Sequence, residues 1–283
     1  MSSFSWQHIF SDDALHRAWQ TVRAKQSAGG ADGQTIAQFA QNLKSNLSCL
    51  QTELIQESYR PHKVTQVLVP KPNGDWRPLT IWSLRDRIAQ RATYNYLMSL
   101  FDPQFLDCSF GYRPGRTPKQ AAQAIQQAGR MGNQWVLDGD IKDCFAQMKT
   151  HILLGRLAEW RTPDPLIRLI KLWLEAKVWN GWQSKTAGTA QGGVISPLLC
   201  NLYLHTFDQT ICRHRLKLVR YADDFIILAP SEGAVQQAKE LAANNLQQLG
   251  LQLHPQKTWL TNFSAGFRFV GWFFIRNEMF YLR

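Results

Sequence analysis

The stretch LKLVRYADDFIILAP, from Leu216 to Pro230, confines the chain more than any other. It is strongly apolar and alternates along Leu216 to Tyr221 in the manner of a strand with one covered face. Yet Asp223 and Asp224 stand side by side at its centre. Adjacent carboxylates repel each other and apolar strands strip them of water, so the fold must place them where something offsets their charge. The pattern predicts a β-hairpin with Ala222 to Asp224 at its tip. Aspartate also suits ordinary turns, and this stretch taken alone leaves a structural tip open.

A second stretch changes the reading. In VLDGDIKDCF, Asp140 stands near the end of another apolar strand, with Asp138 two residues earlier on the same face as a competing candidate. Asp140 is favoured because it lies closer to the strand end, where loops build sites. A third carboxylate beside the first two calls for a cation. Magnesium, a hard ion ligated by carboxylates and substrate phosphates, removes the repulsion. Two such ions about 3.5–4 Å apart would activate a 3′-hydroxyl and neutralise a leaving pyrophosphate, which is nucleotidyl transfer.

Charge agrees with that chemistry. Lys and Arg total 32 against 21 Asp and Glu, a net charge of +11, which points to a polyanionic partner, nucleic acid before membrane. A metal-free nucleic-acid-binding module explains bare acids on its binding face poorly. Five cysteines form no CxxC pair and no zinc-finger spacing with the histidines, so they read as reduced thiols in a cytoplasmic protein. No apolar run approaches the roughly 20 residues of a membrane span, and the polar start MSSFSWQHIF lacks the pattern of a signal peptide. With 283 residues, 45% of them hydrophobic, the chain can bury one large core or two adjoining ones.

Along the chain, SDDALHRAWQTVRAKQS predicts a helix capped by Ser11 that stops at Gly29-Gly30, and TIAQFAQNLKSNLSCLQTELIQES predicts a second. KVTQVLVPKPNGDWRPLTI reads as a hairpin around Asn73-Gly74. SLRDRIAQRATYNYLMSL returns to helical period, and GYRPGRTPKQ is a Gly/Pro loop carrying Arg113, Arg116 and Lys119, suited to phosphates or simply to solvent. Helices are expected over about 150–176, from Ser196-Pro197 onward, and near 231–249, with short strands at the end. Strands mixed with segregated helices make an α+β protein.

In order along the chain, PKPNGDWRPLTI, DRIAQRA, FGYRPGRT, DIKDCF, QGGVISPLLCNLYLHTFD, YADD and LQLHPQKT followed by GFRFVGW resemble the fingers and palm of bacterial group II intron-type reverse transcriptases. The early GGADGQTIAQF and YRPHKV resemble that family's N-terminal extension. The resemblance implies a right-hand polymerase fold with an antiparallel palm sheet flanked by helices. It implies an N-terminal extension at 1–62, fingers at 63–110 and 150–187, and palm at 111–149 and 188–283. The implied activity is RNA-directed DNA polymerisation with two Mg2+ ions, Mn2+ being a substitute. The partners would be an RNA template, a DNA or RNA primer and dNTPs.

By resemblance, Asp140, Asp223 and Asp224 are metal ligands, with the Ile141 carbonyl adding an oxygen. Phe145 matches the bulky gate that collides with a 2′-hydroxyl, although from the residues alone it reads as a core phenylalanine. Lys71 and Arg77 match residues that close on the triphosphate, and Gln191 and Gly192 lie against nucleotide and template. Arg113 and Arg116 are expected on template backbone, and Lys257 near the primer end. Ala190 replaces the usual Pro before Gln-Gly, Ala146 replaces an acid, and RPLTIWSLRDR lacks the usual Gly-Ile-Pro; none removes a metal ligand.

No thumb follows the last palm strands in this sequence, so weak grip on a duplex, or a protein partner supplying thumb function, is expected. The lineage fits a CRISPR adaptation module acting with an integrase, another defence system, or a group II intron remnant. An RNA-dependent RNA polymerase shares the palm, but Phe145 disfavours it. A catalytically lapsed nucleic-acid-binding palm subunit is the alternative outside enzymology.

Overall fold

The computed structural model describes residues 6–26, 29–70, 74, 76–179 and 192–282, together with the backbone of 184–186. In chain order the elements are α1 (Trp6–Ile9), α2 (Asp12–Ala24), α3 (Ile36–Gln41), α4 (Leu43–Ile55), β1 (Val64–Pro70), β2 (Trp76–Ile81) and α5 (Leu84–Phe101). Then come α6 (Pro118–Arg130), β3 (Trp135–Asp140), α7 (Cys144–Gln147), α8 (Thr150–Glu159), α9 (Asp164–Leu174), β4 (Lys177–Trp179) and β5 (Ser184–Thr186). The remainder is α10 (Ser196–Arg213), β6 (Lys217–Tyr221), β7 (Asp224–Ala229), α11 (Glu232–Gln248), β8 (Trp259–Asn262), β9 (Phe267–Phe269), β10 (Trp272–Ile275) and β11 (Glu278–Tyr281). The chain divides into two units, Met1–Phe101 with Leu153–Leu199, and Asp102–Ile152 with Cys200–Arg283.

In the first unit, Ser11 caps α2 by accepting the Ala14 N–H at 3.2 Å, and Leu15, Ala18, Trp19 and Val22 form its buried stripe. The helix stops at Ala24, short of the expected Gly29-Gly30. The expected second helix is two: a Thr35–Gln38 capping box starts α3, and the backbone breaks at Asn42 (φ −119°, ψ 35°) before α4 begins. The sheet runs β2-β1-β4-β5. β1 and β2 are antiparallel, while β4 joins β1 in parallel through Val64 and Val178. These short β4 and β5 strands have no sequence-level counterpart in the expectations, because three residues carry no readable period.

Asp86, in the DRIAQRA stretch, is fully buried and has three donors: the Tyr59 hydroxyl, the Ser83 hydroxyl at 2.8 Å and the His62 backbone N–H at 3.1 Å. It ties the start of α5 to the chain entering β1.

The second unit is built on the antiparallel sheet β6-β7-β3-β8. Ala121, Ala122 and Ile125 of α6 share a core with Val136, Val219, Ile226 and Leu228, and Phe263, Phe267, Phe269 and Phe274 continue it under the β9–β11 sheet. α11 packs against β3 and β7 with Val235, Ala238, Ala242 and Leu246 buried, and Phe207 of α10 meets Phe225 with ring centroids 5.0 Å apart. α6 begins inside the stretch GYRPGRTPKQ that reads as a loop in sequence. Its start signals were present, since Pro118 occupies the first turn and Thr117 and Gln120 form a capping box. Among the described residues, no helix is long and apolar enough to cross a membrane.

Candidate active site

The site is assembled by strand register. β3 and β7 pair with Val136 opposite Leu228, Asp138 opposite Ile226 and Asp140 opposite Asp224. Side chains on a strand alternate faces, so Val136, Asp138 and Asp140 share one face with Leu228, Ile226 and Asp224. That face is apolar over its covered length and acidic at its end. Directly opposed residues in an antiparallel pair lie about 4.5–5.5 Å apart at Cα, which brings Asp140 and Asp224 together without any long-range folding of loops.

Gly139 makes the packing of the other face possible. A Cβ there would stand 2.4 Å from the Phe225 ring, so only glycine lets that ring lie across the strand between the two aspartates. The turn is fixed from a second direction by the segment around Phe110. Phe110 N–H donates to the Arg220 carbonyl at 2.8 Å, and a Cβ on Gly111 would come within 2.2 Å of the Ala222 nitrogen. Ala222 itself has φ 62°, the left-handed region that costs a non-glycine residue about 1 kcal/mol.

The acids carry the cost of this crowding. Burial, then the charge of Asp140, pushes the Asp138 carboxyl up to about 7. Asp224 is exposed as a residue, yet loss of water around its carboxyl, followed by the charges of Asp223 and Asp140, also pushes it up to about 7. Burial raises Asp223 as well, although its own backbone N–H opposes the shift. Lys257 lies against Asp140, its Nζ 3.5 Å from Oδ2. These are acids without enough donors, and hard oxygen ligands in that condition suit a divalent cation. Among the described residues no group of three or more His, Cys, Asp or Glu side chains is arranged to hold an ion unaided, so substrate and water oxygens would have to complete any coordination.

Ile141 follows on from β3 and is buried. It faces Leu253 across an isolated bridge whose bonds, Lys142 N–H to Gln252 O and His254 N–H to Asp140 O, leave the Ile141 carbonyl unused by the bridge. Phe145 lies in α7 and is 7% exposed. Tyr112, in the left-handed region at φ 63° and 40% exposed, stands close enough to Asp223 that burial and that charge raise its hydroxyl.

The structure corrects Arg113. Its side chain is 4% exposed and its donors are spent internally, on Asp102, the Leu106 and Ser109 carbonyls and the Asp102 carbonyl, so it holds its own loop and is withdrawn from template phosphate. Arg116 is more open and pairs with exposed Asp107.

In the first unit, Arg77 stands on β2 opposite Val69, and Gly192 packs against the same strand, where a Cβ at φ 112° would meet the Thr80 carbonyl at 2.4 Å. The neighbouring Val194 N–H is held by the buried Gln90 side chain at 2.8 Å. Lys71 and Gln191 lie outside the described residues.

One residue of this region escaped the sequence reading. Arg220 is fully buried beneath the turn, and the signal available was an arginine inside an otherwise apolar strand.

The family model for Reverse transcriptase (RNA-dependent DNA polymerase) matches residues 69–274. Protein YkfC of Escherichia coli (strain K12) is 30% identical over 292 residues, covering 88% of this chain and 76% of that protein. Group II intron-encoded protein LtrA of Lactococcus lactis subsp. cremoris is 31% identical over 235 residues, 78% of this chain but 37% of LtrA. Among solved structures, a chain of a partial Cas6-RT-Cas1–Cas2 complex is 27% identical with a TM-score of 0.51, covering 88% of this chain and 42% of that one. Apo telomerase from Candida tropicalis, truncated from its C-terminal domain, reaches a TM-score of 0.61 at 16% identity, covering 77% of this chain and 55% of that one, a likeness of fold alone. The chain therefore spans well under half the length of LtrA and of the Cas6-RT-Cas1–Cas2 chain.

Proposed function

The chain belongs to the reverse transcriptase family and has its fingers-palm fold, and from that premise we propose that it extends a DNA or RNA primer with dNTPs along an RNA template. The observation that carries this reading is the Asp140–Asp224 cross-strand pair with Asp223 in the adjoining turn. Members of this family generally use divalent metal ions. Asp140, Asp223 and Asp224 would hold Mg2+, or Mn2+ in its place, with the Ile141 carbonyl as a further oxygen; when bound, the metal acidifies the primer 3′-hydroxyl and neutralises leaving pyrophosphate.

The remaining roles belong to the chain's own groups. Lys257, at Asp140, offsets negative charge on the side where the primer end would arrive. Phe145 limits the space beneath the sugar and selects against a 2′-hydroxyl. Arg77 supplies a guanidinium fork for the triphosphate, with Lys71 as a point charge, and Gln191 and Gly192 border the nucleotide. Arg116 remains available for template backbone once it leaves Asp107.

The relatives suggest two biological settings. One is spacer acquisition in a CRISPR module alongside an integrase, supported by likeness to a chain of the Cas6-RT-Cas1–Cas2 complex. The other is descent from a mobile intron, supported by likeness to LtrA. Co-purification of tagged protein from its native cell separates them by whether an integrase accompanies it.

Primer extension on an RNA template with Mg2+ and dNTPs tests the chemistry, comparing the native chain with the Asp223→Asn, Asp224→Asn double variant. Extension lost in the double variant supports the assignment. Well-folded native protein that binds nucleic acid and never extends a primer would instead make it a binding subunit. Phe145→Ala should admit ribonucleotides, and an unchanged preference would refute the gate.

A further inference from the structure

Arg220 sits at 0% exposure directly beneath the turn that carries Asp223 and Asp224. A buried guanidinium has five N–H donors to satisfy, and here all five are used. Nε and Nη2 form a fork on Asp208 of α10 at 2.7 and 2.6 Å. Nη1 reaches Asn201 Oδ1 at 3.0 Å and the Ala222 carbonyl at 2.8 Å, and the second Nη2 proton goes to Ser109 Oγ at 2.8 Å. Asn201 in turn donates to the Gly111 carbonyl at 2.9 Å, and the Arg220 N–H donates to the Cys108 carbonyl at 2.7 Å.

Three separate pieces of chain thus converge on one planar group: the segment 108–111, helix α10 and the turn itself. The turn needs such a hold. Ala222 is left-handed, a conformation that persists in a non-glycine residue only where surroundings over-determine it, and such strain gathers at functional sites. Fixing the Ala222 carbonyl fixes the peptide that leads into Asp223. A planar fork suits that task better than an ammonium, because several bonds set at fixed angles define orientation as well as distance.

We propose that Arg220 is a positioning residue that sets the Asp223–Asp224 turn for metal binding from the interior of the sheet. This rests on the reading of those aspartates as metal-holding acids, and it adds a group that touches neither metal nor substrate. Outer partners of metal ligands typically control about 10- to 100-fold in metal affinity or activity.

The test uses the whole chain in three forms: native, Arg220→Lys, and Arg220→Met combined with Asp208→Leu. Removing both members of the buried ion pair in favour of apolar groups leaves no unpaired charge, so the double variant should fold, melting below the native temperature because Asn201 Oδ1, Ser109 Oγ and the Ala222 carbonyl lose their donors. It should nevertheless lose about 10- to 100-fold in kcat for primer extension and require correspondingly more Mg2+ for half-saturation, with the KM for dNTP unchanged. Arg220→Lys, which keeps the charge and loses the fork, should show the same pattern to a smaller degree. Mn2+ binding, followed by electron paramagnetic resonance without nucleotide, gives a readout independent of turnover. Weaker Mn2+ binding in the double variant supports the proposal even if native protein shows no extension, in which case only the polymerase reading falls. Native-like Mg2+ response, Mn2+ affinity and kcat in a folded double variant would overturn the proposal. So would a double variant that cannot fold, since Arg220 would then serve only to hold the unit together.

Discussion

Two kinds of aspartate environment divide the molecule, one around a lone residue and one around a cluster. In the first unit, Asp86 is wholly buried and meets three donors, from Tyr59, Ser83 and His62. In the second, Asp138, Asp140, Asp223 and Asp224 stand together, with Lys257 against Asp140 and Arg220 buried beneath the turn, and burial still displaces the Asp138, Asp223 and Asp224 carboxyls upward. Burial raises Asp86 too, but its hydrogen bonds oppose the shift, whereas in the second unit the neighbours of each acid are mostly other acids. A satisfied buried acid is a structural joint. An unsatisfied cluster is a site waiting for positive charge.

The largest effect that follows is on chemistry without loss of fold. Asp140→Asn, or the same change at Asp224, should lower primer extension by about a thousandfold or more, the equivalent of several kcal/mol of transition-state stabilisation. The metal-free variant should melt no lower than native, and about a degree or two higher, because one repelling charge has gone. A melting temperature that fell sharply would move Asp140 into the structural class occupied by Asp86.

Asp86→Ala should do the opposite. It leaves the Tyr59 hydroxyl and the His62 N–H buried without their acceptor, at a cost of about 3 kcal/mol in unfolding free energy. Activity per folded molecule, measured at a temperature where the variant is intact, should change little. A variant of normal stability and poor turnover would erase the distinction between the two sets.

Why one set was readable in the sequence and the other was not follows from distance along the chain. Asp223 and Asp224 are adjacent inside an apolar hairpin, and Asp140 ends an apolar strand, so charge in the wrong place announces itself. Asp86 lies in a polar-looking helix start whose partners are 3, 24 and 27 residues away, and nothing local shows that it is buried. Arg113 failed the same way. In a Gly/Pro loop an arginine reads as available, and only the fold reveals that Asp102 and three carbonyl contacts consume it. Arg220 and Asp208, 12 residues apart across a helix end and a strand, were equally hidden. Hairpins and capped helices are local; joints between distant segments are not.

Proton linkage sharpens the comparison at a smaller scale. The Asp86 carboxyl is raised by burial above its ordinary value, so the folded state holds its proton to higher pH than the unfolded chain does. Its contribution is full below the ordinary carboxylate range near 3.9 and is lost as pH rises through the raised value. Unfolding free energy should therefore decline across that window in native protein and decline less in Asp86→Asn, as denaturant titrations at stepped pH would show. Equal slopes would mean that the three donors fully offset the burial.

The smallest effect separates the two hairpins that hold the acids and the basic groups. β6–β7 buries Phe225 through Ala229, while in β1–β2 Leu68 is 62% and Trp76 60% exposed. Leu68 faces Pro78 and Pro70 faces Trp76 across the ladder, so alternation puts these four on one open face, opposite the face of Arg77. Burial supplies stability in proportion to area removed from water, and these side chains have little of that to lose. Trp76→Ser should therefore shift unfolding free energy by less than about 0.5 kcal/mol, within the range of ordinary surface changes. The same substitution leaves Arg77 on its own face, so the KM for dNTP should stay at the native value. If stability fell by several times that amount, the hairpin would be anchored through Trp76, and the contrast between a core-held hairpin and a ladder-held one would fail.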